Sequence, residues 1–594
     1  MIRNTKKFDF SLFNRLLKYV TKYKITFAFV AFSAVMISVF SILTPYLIKI
    51  AVDEYLANDR YEDFIIIIVL MIANLIMYVL FMFFFGYFAN LLGQNVVFDL
   101  RTKLFKHIID FKMGYFDKSS VGRLVTRAVN DMETIASIFS QGLFMIIADL
   151  LQMLVVMIVM IILSWKLSVV VFLILPFILF ATRKFQKSMK VAFNDVRNEV
   201  ANLNSFVQER LSGMKIVQLF NRQKIEYERF IKINEKHKKA WLKTVWYNSI
   251  FFPLAELSTS ITIGLIVWYG GLNLVLEESN ITLGTIFLFI QLSQMLFRPL
   301  RQIADKFNTL QMGMVAANRV FRILDTQSSI TKHGKLNLDK CLGNIKFNNV
   351  SFSYNRKEKV LNEISFEIKK GEKIAIVGST GSGKTTIVNL ISRFYEPQLG
   401  TILLDDVDIS KIDISSLRSN VAMVLQDVFL FADTLLNNIT LWDKRIAFKS
   451  VTEAAKKIGI HDFIMSLPNG YNYNVRERGI MLSQGQRQLI AFLRAYVKFP
   501  SILILDEATS SIDTKSEKMI QEATDIITTN KTSIIIAHRL STILNSDRIF
   551  VLEKGVICEQ GKHEDLIRIN NGIYKNLYED QLKKTKIKLV QPQS

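Results

Sequence analysis

Apolar positions divide the chain into two unlike halves. In the first, long apolar runs cover residues 25–50, 64–92, 143–163, 167–181, 250–276 and 283–300. A helix crosses the hydrocarbon core of a bilayer with about 20 predominantly apolar residues, so these runs predict six membrane spans. An even number of spans leaves both ends of the chain on one side. A basic amphipathic lead, residues 8–24, precedes the first span. The connections that follow spans two and four are long. They keep a helical apolar period and contain almost no Gly or Pro. Paired helices of that length project on the order of 30 Å past the bilayer. Pro45, Pro176, Pro253 and Pro299 mark kinks or helix ends.

Beyond residue 325 the period changes. Residues 326–343 are polar and read as a linker. From 344 to about 580, short β-rich runs alternate with helical ones, the pattern of a mainly parallel α/β domain. Residues 581–594 form a basic tail. The expected fold class is a membrane α-helical domain, 1–325, with long cytoplasmic extensions, fused to an α/β phosphate-loop nucleotide-binding domain.

Charge orients the spans. The connection after the first span holds Asp53, Glu54, Asp59, Glu62 and Asp63 against Arg60, and the one after the fifth holds Glu277 and Glu278. The long connections carry Arg101, Lys103, Lys106, Lys112, Lys118, Arg123 and Arg127, then Arg183, Lys184, Lys187, Lys190 and Arg197. Lys/Arg-rich connections stay in the cytoplasm. Both termini are therefore expected there, with the chain in the inner (cytoplasmic) membrane. The same rule accounts for the net charge of +22, which otherwise suggests a nucleic-acid-handling ATPase. With half the residues apolar and 45 Phe, no nucleic-acid partner is expected. Cys341 and Cys558 lack metal-like spacing and lie in the cytosolic half, so neither a disulfide nor a metal–cysteine centre is expected. Asp149 and Glu256 sit among apolar neighbours, where a carboxylate either lines a path or pairs helices.

The chemistry starts at Gly378-Ser379-Thr380-Gly381-Ser382-Gly383-Lys384-Thr385-Thr386, which fits the pattern G-x-x-x-x-G-K-[ST]. An apolar strand leads in and an apolar helical run leads out. Glycines let successive N–H groups curl around a phosphate, and the following helix points its positive end at the same anion. Lys384 suits the β- and γ-phosphates, and the Thr385 hydroxyl suits Mg²⁺. The apolar run 501–505 ends in Asp506 and Glu507. Such a strand would carry Asp506 to the Mg²⁺, and Glu507 could deprotonate the attacking water. Ser483, with Gly485 and Gln486, begins a second helix and so a second anion-binding end. Gln426 and His538 each follow an apolar strand, where an open parallel sheet binds its ligand.

In this order the motifs closely resemble the ATP-binding cassette (ABC) transporter superfamily, and the whole chain resembles a bacterial multidrug or lipid exporter half-transporter. Residues 378–386 resemble its Walker A, 502–506 its Walker B, and Glu507 its catalytic glutamate. Residues 482–486 resemble its signature, Gln426 its Q-loop, residues 510–513, with Asp513, its D-loop, and His538 its switch histidine. Tyr354 falls where the family stacks an aromatic ring on adenine. Asp117, Gly122, Arg123, Asn130 and Asp131 resemble the first cytoplasmic loop, and Glu209, Gly213 and residues 220–222 the second.

The resemblance implies ATP and Mg²⁺, with Gln426 joining Thr385 and Asp506 at the metal. It also implies a second half-transporter, as homodimer or heterodimer, each ATP lying between Lys384 of one chain and Ser483 of the other. Two departures stand out. Gln484 replaces the first glycine of the signature pair, and Arg476 stands where the family often has Gly. The expected function is ATP-driven export or flipping of a small amphipathic or lipid-like substrate across the bilayer. The alternative is an ATP-gated channel or regulatory subunit with little pumping, against which Glu507 and His538 speak.

Overall fold

In a computed structural model the structure describes residues 9–56, 64–275, 281–327, 334–338, 341–355, 358–506, 514–537 and 540–590. Glu507, His538 and the 510–513 segment with Asp513 lie outside these residues, as do Asp59, Arg60, Glu62, Asp63, Glu277 and Glu278. The chain divides into two compact units. One comprises Met1–Ile109 with Val121–Gln327, the other Asp110–Ser120 with Ser328–Ser594.

The first unit is helical. It contains α1 (Phe10–Val20), α2 (Lys24–Ile50), α3 (Phe64–Ile109), α5 (Val121–Ala128), α6 (Asn130–Ser137), α7 (Phe144–Leu163), α8 (Trp165–Ser212), α9 (Met214–Leu219), α10 (Gln223–Val275) and α11 (Leu283–Leu324). The short α4 (Met113–Lys118) belongs to the second unit. Among the described residues six helical stretches are long and apolar enough to cross a membrane. Several continue far beyond their apolar part: α8 runs for 48 residues and α10 for 53. Inside lipid every backbone polar group needs an internal partner, which is why these segments are helical without interruption. Pro45, Pro176, Pro253 and Pro299 all lie inside helices rather than at their ends.

Among the described residues two turns widen to π-helix without breaking the helical path, Ala51–Leu56 and Ile138–Leu143. The second packs on α11: a Cβ on Gly313 would stand 2.0 Å from Ile138, so only glycine allows this approach. Nearby, Lys306 of α11 pairs with Asp149 of α7, both side chains mostly buried. Asp149 therefore pairs helices in this structure. Glu256 is exposed on α10. At the N-terminus of α11, Asp53 accepts hydrogen bonds from the Thr282 hydroxyl (2.5 Å) and the Gly284 N–H (2.8 Å), and pairs with Lys49 at 3.1 Å. Asp53 thus takes one of the free N–H groups at the start of α11 and holds the Thr282 hydroxyl, which caps the helix by accepting from the Thr285 N–H at 3.2 Å.

Among the described residues the second unit holds two sheets. The strands are β1 (Ile345–Phe352), β2 (Leu361–Ile368), β3 (Lys373–Gly378), β4 (Leu399–Leu404), β5 (Val407–Asp408), β6 (Val421–Val424), β7 (Ile502–Asp506), β8 (Thr532–Ile536), β9 (Arg548–Glu553) and β10 (Val556–Gly561). Six strands run in the order β10-β9-β3-β8-β7-β6, parallel except for the edge strand β10. Strands β3, β7 and β8 are almost fully buried, as strands covered on both faces must be. The other four form an antiparallel sheet, β2-β1-β4-β5, a layer that the sequence pattern did not separate from the parallel one. The stretch read as a linker is in part tied down: Leu336 bridges to Ile412, and the Leu338 N–H bonds the Ser416 hydroxyl at 2.9 Å.

Replacing Asp53 by alanine removes one acceptor from the α11 N-terminus and the carboxylate that Lys49 pairs with. Charge-assisted hydrogen bonds of this kind contribute about 2 kcal/mol. Thermal unfolding in detergent should show the midpoint of Asp53→Ala lowered by a few degrees, with Asp53→Asn recovering part of the loss.

Candidate nucleotide site

The site begins where β3 ends. Gly378, Gly381 and Gly383 all take positive φ, +155°, +83° and +107°. The three have different reasons. A Cβ on Gly378 would stand 2.1 Å from the Leu552 carbonyl, and one on Gly383 would stand 2.7 Å from Leu361. A Cβ on Gly381 would meet nothing within 4 Å, so that side of the loop is open. Helix α12 (Lys384–Ile391) starts directly from Gly383.

Lys384 is buried and its ammonium donates to the carbonyls of Gly378 and Ser379, at 2.9 Å each. Burial pushes its pKa down, and the nearby Asp506 carboxylate opposes that shift. Ser382 has a buried hydroxyl with no hydrogen-bond partner. A buried, unpartnered hydroxyl beside an open glycine turn and a desolvated cation fits a phosphate group: it supplies acceptor oxygens to the hydroxyl and to the ammonium's third N–H. Ser379, Thr380 and Thr385 are exposed, whereas Thr386 is buried.

Asp506 ends β7, and Gln426 is exposed two residues past the end of β6, the neighbouring strand. Both therefore stand at the carboxyl edge of the parallel sheet, the edge from which the loop after β3 also leaves. Hydroxyl and carboxylate oxygens are the ligands that Mg²⁺ takes, and Thr385 and Asp506 supply that donor type. Ala537, at the end of β8, is buried; the adjacent His538 is outside the described residues.

Tyr354 lies by α12. Its hydroxyl is 3.2 Å from that of Thr386 and accepts from Asn389 at 3.4 Å. Phe352 and Tyr395 meet its ring edge-on, with centroids at 4.9 and 5.0 Å. The ring is 38% exposed, which leaves area for a stacked base. Tyr395 was not among the residues singled out by sequence. Its hydroxyl bonds Asp117 of α4, and Lys112 pairs with Glu396 at 3.5 Å. The segment 110–120 is thus held within one ring of the Tyr354 site. The aromatic pair Phe394-Tyr395 before Pro397 was the available signal.

The helix start that the sequence offers as a second anion-binding end is built as a capping box. Ser483 precedes the helix Gln484–Tyr496, its hydroxyl oxygen accepting from the Gln486 N–H (3.3 Å) while the Gln486 side chain accepts from the Ser483 N–H (2.9 Å). The hydroxyl proton of Ser483 stays free to donate. Gln486 serves the cap rather than pointing outward, Gly485 is buried, and Gln484 is exposed. Arg476 takes φ +58° and ψ −171°, a region open almost only to glycine.

The comparisons with known proteins agree with this geometry. The family "ABC transporter transmembrane region" matches residues 27–300, and the family "ABC transporter" matches residues 361–510. An uncharacterized ABC transporter ATP-binding protein of Bacillus subtilis, YknV, is 36% identical over 97% of this chain and 95% of its own length. An ATP-dependent lipid A-core flippase of Syntrophus aciditrophicus is 35% identical, over 97% of this chain and 95% of its own. A solved structure of a bacterial Atm1-family ABC exporter with ATP bound shares 27% identity. It covers 93% of this chain and 98% of its own, with a TM-score of 0.74.

A six-helix membrane unit joined to a phosphate-loop ATPase unit defines a multi-pass, ATP-driven transporter. The chain belongs to the ABC transporter family, as a bacterial-type half-exporter that couples ATP hydrolysis to transport.

The strain at Arg476 gives a direct test. A non-glycine residue in this region costs about 1–3 kcal/mol, partly offset by the extra chain entropy that glycine loses on folding. Arg476→Gly should therefore stabilise the protein by about 1 kcal/mol, read as a rise of roughly 2–4 °C in the thermal midpoint.

Proposed function

We propose that this chain exports or flips a small amphipathic or lipid-like molecule across the cytoplasmic membrane, working as one half of a dimer. The observation that carries the reading is the open glycine loop with the unpartnered Ser382 hydroxyl and the buried Lys384, in one chain with six membrane-crossing helices. The lipid-like substrate class is supported by relatives named lipid A-core flippases, at 34–37% identity. The transmembrane domain is taken as 1–325 and the cassette as 344–580, with both termini cytoplasmic.

In this reading Lys384 and the N–H groups of residues 379–386 hold the triphosphate, and Tyr354 stacks on adenine. Thr385, Asp506 and Gln426 would hold Mg²⁺, which supplies charge neutralisation to the β- and γ-phosphates. Glu507 accepts the proton of the attacking water, and His538 hydrogen-bonds the γ-phosphate. Ser483 of the partner subunit, with Gly485 and Gln486 shaping its helix end and Asp513 near the dimer seam, closes the other side of the nucleotide. Closure of two cassettes on ATP switches the spans between inward- and outward-facing states, and hydrolysis reopens them. The choice between homodimer and heterodimer follows from whether the chain alone is active.

ATPase activity of the purified chain in lipid tests this. Glu507→Gln should lower the rate by about 10²–10³-fold while ATP binding persists, whereas Lys384→Ala should abolish binding itself. Chelating Mg²⁺ should stop hydrolysis in the unmodified chain. Full activity in Glu507→Gln would refute the assigned role. Stimulation of the rate by amphiphiles, and none by hydrophilic solutes, is the result expected for the substrate class.

A further inference from the structure

Arg393 stands just past the C-terminal end of α12 and is 4% exposed. Its φ of +50° is left-handed, a region that a residue with a Cβ rarely takes. The guanidinium accounts for it. Nη1 donates to the carbonyls of Ile409 (3.2 Å) and Ile412 (3.0 Å), and Nη2 meets Glu396 at 3.5 Å. Nε has no partner among the described residues, so the fork end makes the attachment. A planar fork can hold two carbonyls and a carboxylate at once, which the single ammonium of a lysine does less well.

Two segments carry the chain from the first unit into the second, Asp110–Ser120 and the stretch that begins at Ser328. Each is held next to one end of this fork. The turn that Arg393 opens holds the first: the Tyr395 hydroxyl bonds Asp117, and Glu396 pairs with Lys112 at 3.5 Å. The pairs at the exposed Glu396 are weak. The firmer link is covalent, since Tyr395 follows Arg393 by two residues. The loop that Arg393 pins holds the second segment. The Leu336 N–H donates to the Lys411 carbonyl at 3.2 Å, and the Leu336 carbonyl accepts from the Asp413 N–H at 2.8 Å. The Leu338 N–H donates to the Ser416 hydroxyl at 2.9 Å. Gly334 lies closest of all: a Cβ there would stand 1.8 Å from the Ile412 carbonyl oxygen, the same oxygen that Arg393 holds.

We propose that Arg393 is a positioning residue for coupled ATP hydrolysis. It locks the turn after α12 to the 409–412 loop, so that a displacement of α12 on binding nucleotide moves both crossing segments together. The inference rests on nucleotide binding at the loop before α12. That helix is 8 residues long, which puts about 12 Å between its phosphate end and its far end. Two turns of buried helix transmit a displacement over that length by packing alone. Lys384 and Ser382 lie at the other end, so binding itself does not need Arg393.

The test is hydrogen exchange read by mass spectrometry on the full chain in mild detergent, with and without Mg²⁺ and the non-hydrolysable analogue AMP-PNP. In the unmodified chain the analogue should slow exchange in the loop peptide 378–386 and change it in the peptides covering 110–120 and 334–338. Arg393→Lys should keep the protection of the loop and lose at least about half of the response in both crossing segments. Tyr395→Phe with Glu396→Gln should silence 110–120 alone, and Gly334→Ala should silence 334–338 alone. In steady-state ATPase kinetics in lipid, Arg393→Lys should lower kcat about fivefold, with KM for ATP within about twofold. The proposal is overturned if the loop is protected and neither crossing segment responds in the unmodified chain. It is equally overturned if Arg393→Lys keeps both responses, or if KM rises while kcat holds. If Arg393→Lys does not purify, Arg393→Gln reads the same outcomes.

Discussion

The cassette depends on burying the Lys384 ammonium. A cation taken from water costs several kcal/mol unless partners surround it, and here two loop carbonyls and the field of Asp506 do so. Those carbonyls point inward because Gly378 and Gly383 adopt backbone angles closed to other residues and press against Leu552 and Leu361. The curled loop in turn requires the buried strand β3 in front and α12 behind. Sheet order, loop shape and charge placement are therefore one problem with one solution. The membrane half obeys a different constraint, the absence of water for backbone groups, and solves it with continuous helices.

What the sequence made legible follows from these two constraints. Lipid demands length and apolarity, and both can be counted along a chain. A phosphate demands glycines at particular spacings, which no other residue replaces. Contacts that act at a distance left no such mark. The antiparallel sheet β2-β1-β4-β5 and the parallel sheet use similar apolar runs, and only pairing tells them apart. The bridge from Leu336 to Ile412 rests on single backbone bonds in a polar stretch, so no periodicity announces it. The π-turn at Ile138–Leu143 is an extra residue inside an otherwise helical pattern, and its apolar side chains give nothing away. The positions of Glu507, Asp513 and His538 lie outside the described residues, and their roles rest on the motifs alone.

Tyr395 shows how the two constraints meet. The segment 110–120 sits in sequence between two membrane helices, yet it belongs to the α/β unit, held by the Tyr395–Asp117 bond and the Lys112–Glu396 pair. Tyr395 also touches Tyr354 edge-on, and Tyr354 in turn touches Thr386 of α12. A short chain of side chains thus runs from the phosphate-loop helix to a segment whose neighbours on both sides enter the bilayer. A shift of Tyr354 would press first on Tyr395, because the two rings meet edge to face with centroids 5.0 Å apart. An electrostatic link along the same path would be weaker, because Asp117 and Glu396 are both exposed to solvent that screens them.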